Sequence, residues 1–241
     1  MSEPKSKNVV LVAFGGPSSS GKTTVAKTLS KLIPKTTLVH LDDFYLTDSK
    51  IPVDPTTGYQ NWDCADAIDF PKFVDYLKSV RSGHVSAPIE SIQSDDIDLS
   101  MSPHEIESLV QTIEENKQKI SQHHLVFVDG FMLFHDPQCI ELFDIRLFFH
   151  ASFNTLKKRR ESRSGYNTAE GFWVDPPNYF EKIVWPAFKQ SHKYLFKSED
   201  VEGELKPELA EKYCINDIAN ETNTTLFDLV NKSLSIILTR T

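Results

Sequence analysis

Six apolar residues in a row, Val9–Phe14, stop at Gly15-Gly16. A run of that length closed by glycines predicts a strand buried on both faces. Beyond it, Val25, Leu29 and Leu32 recur at spacings of four and three. That spacing predicts a helix over 23–32, which Pro34 ends. Thr37–Leu41 predicts a second short strand with Asp42 and Asp43 at its end. Strand, glycine turn, helix and strand open a parallel βαβ unit.

The pattern continues in the same style. Residues 47–63 read as loop, with Pro52, Pro55 and Gly58. Phe70, Phe73, Val74 and Leu77 give 64–80 an apolar helical stripe, and Pro71 implies a restart near Asp69. Residues 82–116 hold eight acidic residues and no Lys or Arg, and predict a solvated acidic insertion extending to about 122. Within it a helix begins near Pro103, with Ser102 and Glu105 as a capping box. Further strands are predicted at 125–128, ending in Asp129-Gly130, at 145–149 and at 214–218. Residues 151–162 read as a basic helix and 164–177 as a mobile loop. Residues 178–198 read as an amphipathic helix kinked at Pro186. The last helix, 225–238, packs Leu226, Leu229, Val230, Leu234 and Ile237.

Composition narrows the class. The 241 residues suffice for one α/β domain with its own core. Thirty-four acidic residues against 26 Lys plus Arg give a net charge of −8, which removes a global basic footprint for nucleic acid. No apolar run spans a membrane or forms a signal core, and Cys64, Cys139 and Cys214 are too far apart for a metal or redox pair. The expectation is a monomeric protein of the cytoplasm, with access to the nucleus left open.

The chemistry sits at the glycine turn. Gly16-Pro17-Ser18-Ser19-Ser20-Gly21-Lys22-Thr23 fits G-x-x-x-x-G-K-[ST] between a strand and a helix. Backbone N–H groups and the helix start would cradle phosphates, Lys22 would neutralise their oxygens, and the Thr23 hydroxyl would face Mg²⁺. Thr24 completes the cradle. Asp42 and Asp129 end neighbouring strands, where parallel sheets bind ligands. Asp42 could accept a proton from an attacking hydroxyl or orient a water on the metal, and Asp129 could approach the metal as a Walker-B acid does. Asp43 reads as a turn acid, and Leu41 and Phe44 as core. Residues 157–163 are five-sevenths basic. Arg159 and Arg163, at i and i+4, are expected to share the face of a helix that turns to the phosphates, with a closing lid over about 159–178. Arg160 points elsewhere, toward the acceptor.

The P-loop, His40-Leu41-Asp42-Asp43-Phe44-Tyr45, Asn61-Trp62-Asp63, Asp129-Gly130-Phe131, the basic run, and Asn178-Tyr179-Phe180-Glu181 with Val184-Trp185-Pro186 together resemble the nicotinamide riboside kinase family, in its fungal form. Uridine–cytidine kinases and pantothenate kinase are wider relatives. The resemblance implies a three-layer α/β/α sandwich of the P-loop nucleoside triphosphate hydrolase type, with a parallel central sheet. It implies transfer of the ATP γ-phosphoryl, with Mg²⁺, to the 5′-hydroxyl of nicotinamide riboside and of nicotinic acid riboside. By the same resemblance Thr23 and Asp42 hold the metal environment and Asp42 is the proton acceptor. The stretch Asp42, Asp43, Phe44 and Tyr45 lies on the substrate side, and Asp63 binds the ribose hydroxyls. Trp62 and Tyr166 sandwich the pyridine ring. Arg160 contacts substrate, Arg159 and Arg163 contact nucleotide phosphates, and the adenine lies near Asp217 to Ala219. Two departures stand out. Asp129 occupies a position where relatives often carry Glu, and Tyr166 follows the basic run one residue late.

Two rivals compete with this reading. A pyrimidine nucleoside kinase would need polar groups matched to a uracil or cytosine edge. A regulatory nucleotide-binding protein would bind ATP and transfer nothing.

Overall fold

The computed structural model describes residues 8–83, 91, 99–168 and 170–241. In chain order the elements are β1 (Asn8–Gly15), α1 (Lys22–Leu32), β2 (Thr37–His40), α2 (Phe70–Arg81), α3 (Pro103–Glu115), α4 (Lys117–Ile120), β3 (His123–Gly130), α5 (Pro137–Ile140), β4 (Ile145–His150), α6 (Phe153–Glu161), β5 (Tyr166–Asn167), β6 (Phe172–Trp173), α7 (Trp185–His192), α8 (Pro207–Lys212), β7 (Ile215–Ala219) and α9 (Leu226–Arg240). Five parallel strands form the main sheet in the order β2-β3-β1-β4-β7.

The apolar run of β1 is continuous because both of its faces are covered. Val10, Val12 and Phe14 join α1, α3 and α9 in one core, through Val25, Leu29, Leu109, Ile113, Val230 and Leu234. Leu11 and Ala13 face the other layer, where Phe73 and Leu77 of α2 and Phe188 of α7 pack. The result is the expected α/β/α sandwich with a parallel central sheet. A third cluster binds the segment after β2 to residues 151–184, with Ile51, Trp62, Leu156, Tyr179, Phe180 and Ile183 buried together.

Several expectations shift in detail. Between residues 64 and 80 the α-helix begins at Phe70, capped by the Asp69 side chain, with Ala65–Ala67 a separate 3-10 turn. The capping box of Ser102 and Glu105 is present. The acidic insertion falls partly outside the described residues. Its helix α3 is not simply solvated, since Leu109 and Ile113 are buried against the sheet layer. The expected kinked helix over 178–198 is four pieces: a π turn at Phe180–Val184, α7, and 3-10 turns at Lys193–Leu195 and Lys197–Glu199. Pro186 falls where the π turn passes directly into α7, so its missing N–H interrupts the helical hydrogen-bond ladder at that junction. Within 164–177 a short hairpin pairs Tyr166 with Trp173. Among the described residues no helix is long and apolar enough to cross a membrane.

Candidate active site

The carboxyl ends of β1, β2 and β3 open on one cleft of about 430 Å³. The cradle between β1 and α1 forms its floor. Gly16 has φ +130°, and a Cβ there would stand 1.9 Å from the Phe149 carbonyl oxygen. Gly21 caps α1 at φ +92°, and no side chain caps that helix start, so its N–H groups are available to an anion. Ser18, Ser19, Gly21, Lys22, Thr23 and Thr24 line the cleft. Gly16, Pro17 and Ser20 lie behind that surface and shape it: Pro17 O accepts from Lys22 Nζ at 3.3 Å, and Ser20 O accepts from Asn220 Nδ2 at 2.8 Å. Burial pushes the Lys22 ammonium below its ordinary range, against the pull of Asp129 and Asp42.

The two strand-end acids face this floor. The Thr23 hydroxyl donates to Asp129 Oδ2, and Asp129 Oδ1 pairs with His40 Nδ1. Burial raises the Asp129 carboxyl, but the His40 bond and charge and the Thr23 hydroxyl outweigh it and leave the group below the usual carboxylate range. His40 moves the opposite way: burial disfavours its charge, yet the Asp129 partner raises it. Asp42, in the 3-10 turn after β2, is pushed up to about 6, first by burial and then by the charge of Asp129.

Trp62, Asp63 and Tyr45 also line the cleft. The Tyr45 ring lies 5.3 Å from Trp62 and 6.0 Å from Phe131, and its hydroxyl donates to Trp62 O at 2.9 Å. Asp63 is buried, and burial raises its carboxyl, with the Arg160 charge opposing. Arg160 donates to Asp63 at 3.2 and 3.4 Å, to Ser18 Oγ at 2.8 Å and to Asp175 at 2.7 and 3.1 Å. Burial works against its charge, but Asp63 and then Asp175 hold the guanidinium well above its ordinary range.

Other expected residues lie elsewhere. Phe44 is core, packed on Phe73 at 5.1 Å, and does not face the cleft. Asp43 turns outward and accepts from Ser91 Oγ at 3.0 Å. Arg159 and Arg163 do not share a helix face, because α6 stops at Glu161. Arg163 lines the cleft with its guanidinium 5.5 Å from the Tyr166 ring, while Arg159 is fastened to Asn220 by bonds to O at 3.0 Å and Oδ1 at 3.3 Å. Tyr166 lines the cleft, but its ring lies 4.4 Å from the Arg160 guanidinium. The aromatic partners of Trp62 are Tyr45 and Trp173, the latter at 5.7 Å. Asp217, on the edge strand, pairs with His150, and neither it nor Ala219 lines this cleft.

Sequence reasoning missed Lys27, Phe131, Phe172 and Trp173 on the cleft wall, and His40 and Asp175 behind it. A signal existed for Lys27, one helical turn beyond Thr23. His40 ends β2 directly opposite Asp129 in the strand register.

An anion cradle at a helix start, a hydroxyl bonded to a strand-end acid and a second acid across the cleft define a P-loop phosphotransferase. The model of the Phosphoribulokinase / Uridine kinase family matches residues 11–165. The chain is 38% identical over 227 residues to the nicotinamide riboside kinase of Saccharomyces cerevisiae, covering 92% of each. It is 38% identical over 203 residues to that of Schizosaccharomyces pombe, covering 83% of this chain and 86% of the relative. It is 39% identical over 211 residues to that of Eremothecium gossypii, covering 86% of each. The chain belongs to the nicotinamide riboside kinases of this family.

Proposed function

We propose that this chain transfers the γ-phosphoryl group of ATP to the 5′-hydroxyl of nicotinamide riboside, with nicotinic acid riboside as a second acceptor. One observation carries the reading: Lys22, Thr23, Asp42 and the Trp62–Asp63 pair all line a single cleft. The open N–H groups at the start of α1 and the buried Lys22 hold the triphosphate. Asp42 accepts the hydroxyl proton as the new O–P bond forms and the bond to the departing ADP breaks. Its elevated carboxyl, near 6, is ionised at neutral pH yet basic enough for that task. Asp63 accepts from the vicinal ribose hydroxyls. Trp62 and Tyr45, with Phe131, form an aromatic wall for a flat cationic ring, whose attraction to such faces is worth roughly 2 kcal/mol when desolvated. Arg163 on the lid side meets phosphate oxygens, for which a planar fork suits better than an ammonium.

The donor set also fits Mg²⁺. Thr23, Asp42 and Asp129 all offer hard oxygens to the cleft. When bound, Mg²⁺ neutralises charge on the phosphate oxygens. The chain's own part is orientation: His40 and Thr23 fix the Asp129 carboxylate from both oxygens.

Mass analysis of a reaction with ATP and nicotinamide riboside tests the reading. It predicts one nicotinamide mononucleotide per ADP. ADP without a riboside phosphate would reject it, and ATP binding without ADP would favour a regulatory protein.

A further inference from the structure

Two tryptophan–acid pairs from distant parts of the chain meet at one guanidinium. Trp62 precedes Asp63, and Trp173 stands two residues before Asp175. The indoles lie 5.7 Å apart between centroids, and both carboxylates bond Arg160, which is 6% exposed. The two pairings are unequal. Asp175 takes Nε at 2.7 Å and Nη2 at 3.1 Å, a close two-point fork. Asp63 takes Nη1 at 3.2 Å and Nη2 at 3.4 Å along another edge of the group. Asp175 Oδ1 also accepts from Trp173 Nε1 at 2.9 Å, which ties the fork to the aromatic wall.

A carboxylate offers about four acceptor positions. The long bonds to Arg160 leave Asp63 capacity for a diol, provided another group anchors the guanidinium. A buried cation with a single carboxylate partner would close tightly on it and use up that capacity. We propose that Asp175 is a positioning residue for the riboside: it anchors Arg160 by a separate edge, keeps Asp63 open to the ribose hydroxyls, and couples both to Trp173. The proposal rests on Asp63 as the hydroxyl acceptor.

Steady-state kinetics of the full chain test it, with Asp175→Asn, Asp175→Glu and Trp173→Phe beside Asp63→Asn. Asp175→Asn should raise the riboside KM roughly tenfold while kcat and the ATP KM stay within about twofold. Asp175→Glu should recover part of that loss. Trp173→Phe keeps a ring but lacks the N–H, and should shift the riboside KM in the same direction by less. Should Asp175→Asn fail to fold, the Glu and Phe variants carry the same prediction. An unchanged riboside KM, or equal losses toward riboside and ATP, would overturn the proposal. If Asp63→Asn leaves the riboside KM unchanged, the hydroxyl-acceptor reading fails first and the proposal with it. If Asp63→Asn raises that KM and the Asp175 and Trp173 variants do not, only the positioning role fails.

Discussion

The Thr23 hydroxyl donates to Asp129 Oδ2, joining the first turn of α1 to the end of β3 across 106 positions of sequence. His40 occupies the other carboxylate oxygen from the neighbouring strand. Both lone-pair edges of Asp129 are thus oriented before any ligand arrives. That arrangement gives the Asp129 carboxylate a fixed place in the cleft wall.

Replacing Asp129 by Asn removes the charge while keeping the shape. The Mg²⁺ concentration for half-maximal activity should rise by about tenfold or more, and metal-free ATP binding should change little. A titration of rate against Mg²⁺, paired with nucleotide binding in a chelator, checks both parts.

Asp42→Asn should separate stability from activity. The folded carboxyl stands near 6 and its ordinary value is 3.8, so folding favours the protonated form. The resulting stabilisation is complete below the ordinary value and is lost as pH rises through 6. At pH 7 the ionised group therefore costs about 2–3 kcal/mol. The Asn variant should melt at a higher temperature than the parent at pH 7, bind ATP, and lose turnover by about 10²-fold or more. A lower melting temperature would contradict the electrostatic account of the site.

Gly16→Ala should damage fold and cradle together. Its φ of +130° disfavours any side chain, and the added Cβ would stand 1.9 Å from the Phe149 carbonyl oxygen. A loss of about 3 kcal/mol or more is expected, with ATP binding lost in parallel. Denaturant midpoints and nucleotide titrations measure the two effects separately.

His192 predicts acid sensitivity away from the cleft. Burial pushes its imidazole down to about 3 from an ordinary 6.5, among the rings of Phe148 and Phe188. The unfolded chain therefore binds the extra proton between those values. Stability should be full above pH 6.5 and fall by about 1.4 kcal/mol per pH unit below it from this residue alone. In His192→Phe, denaturation between pH 6.5 and 5 should show a slope smaller by about one proton.

Much of this was written in the sequence, and the reasons are specific. Val9–Phe14 announces a strand covered on both faces, and the glycines around Ser18 announce a phosphate cradle, because both are local. Asp42 and Asp129 are legible because parallel sheets bind ligands at strand ends. The capping box at Ser102 is local as well. Trp173 and Asp175 are not legible: Trp173 reaches the cleft wall on a hairpin of two-residue strands, too short for any periodicity, and Asp175 stands two residues beyond it, behind that wall. Arg159 and Arg163 misled because a shared face requires the helix to continue, and α6 ends between them. Leu41 and Phe44, legible as core, are buried together because a 3-10 turn repeats every three residues, which leaves Asp42 between them for the cleft.

The central claim is that this cleft delivers a ribosyl-pyridinium to the triphosphate, and a competition between acceptors measures it most directly. With nicotinamide riboside and uridine at equal concentrations well below saturation, product ratios report the ratio of kcat/KM. The account predicts that nicotinamide mononucleotide dominates. Predominant uridine monophosphate would contradict it.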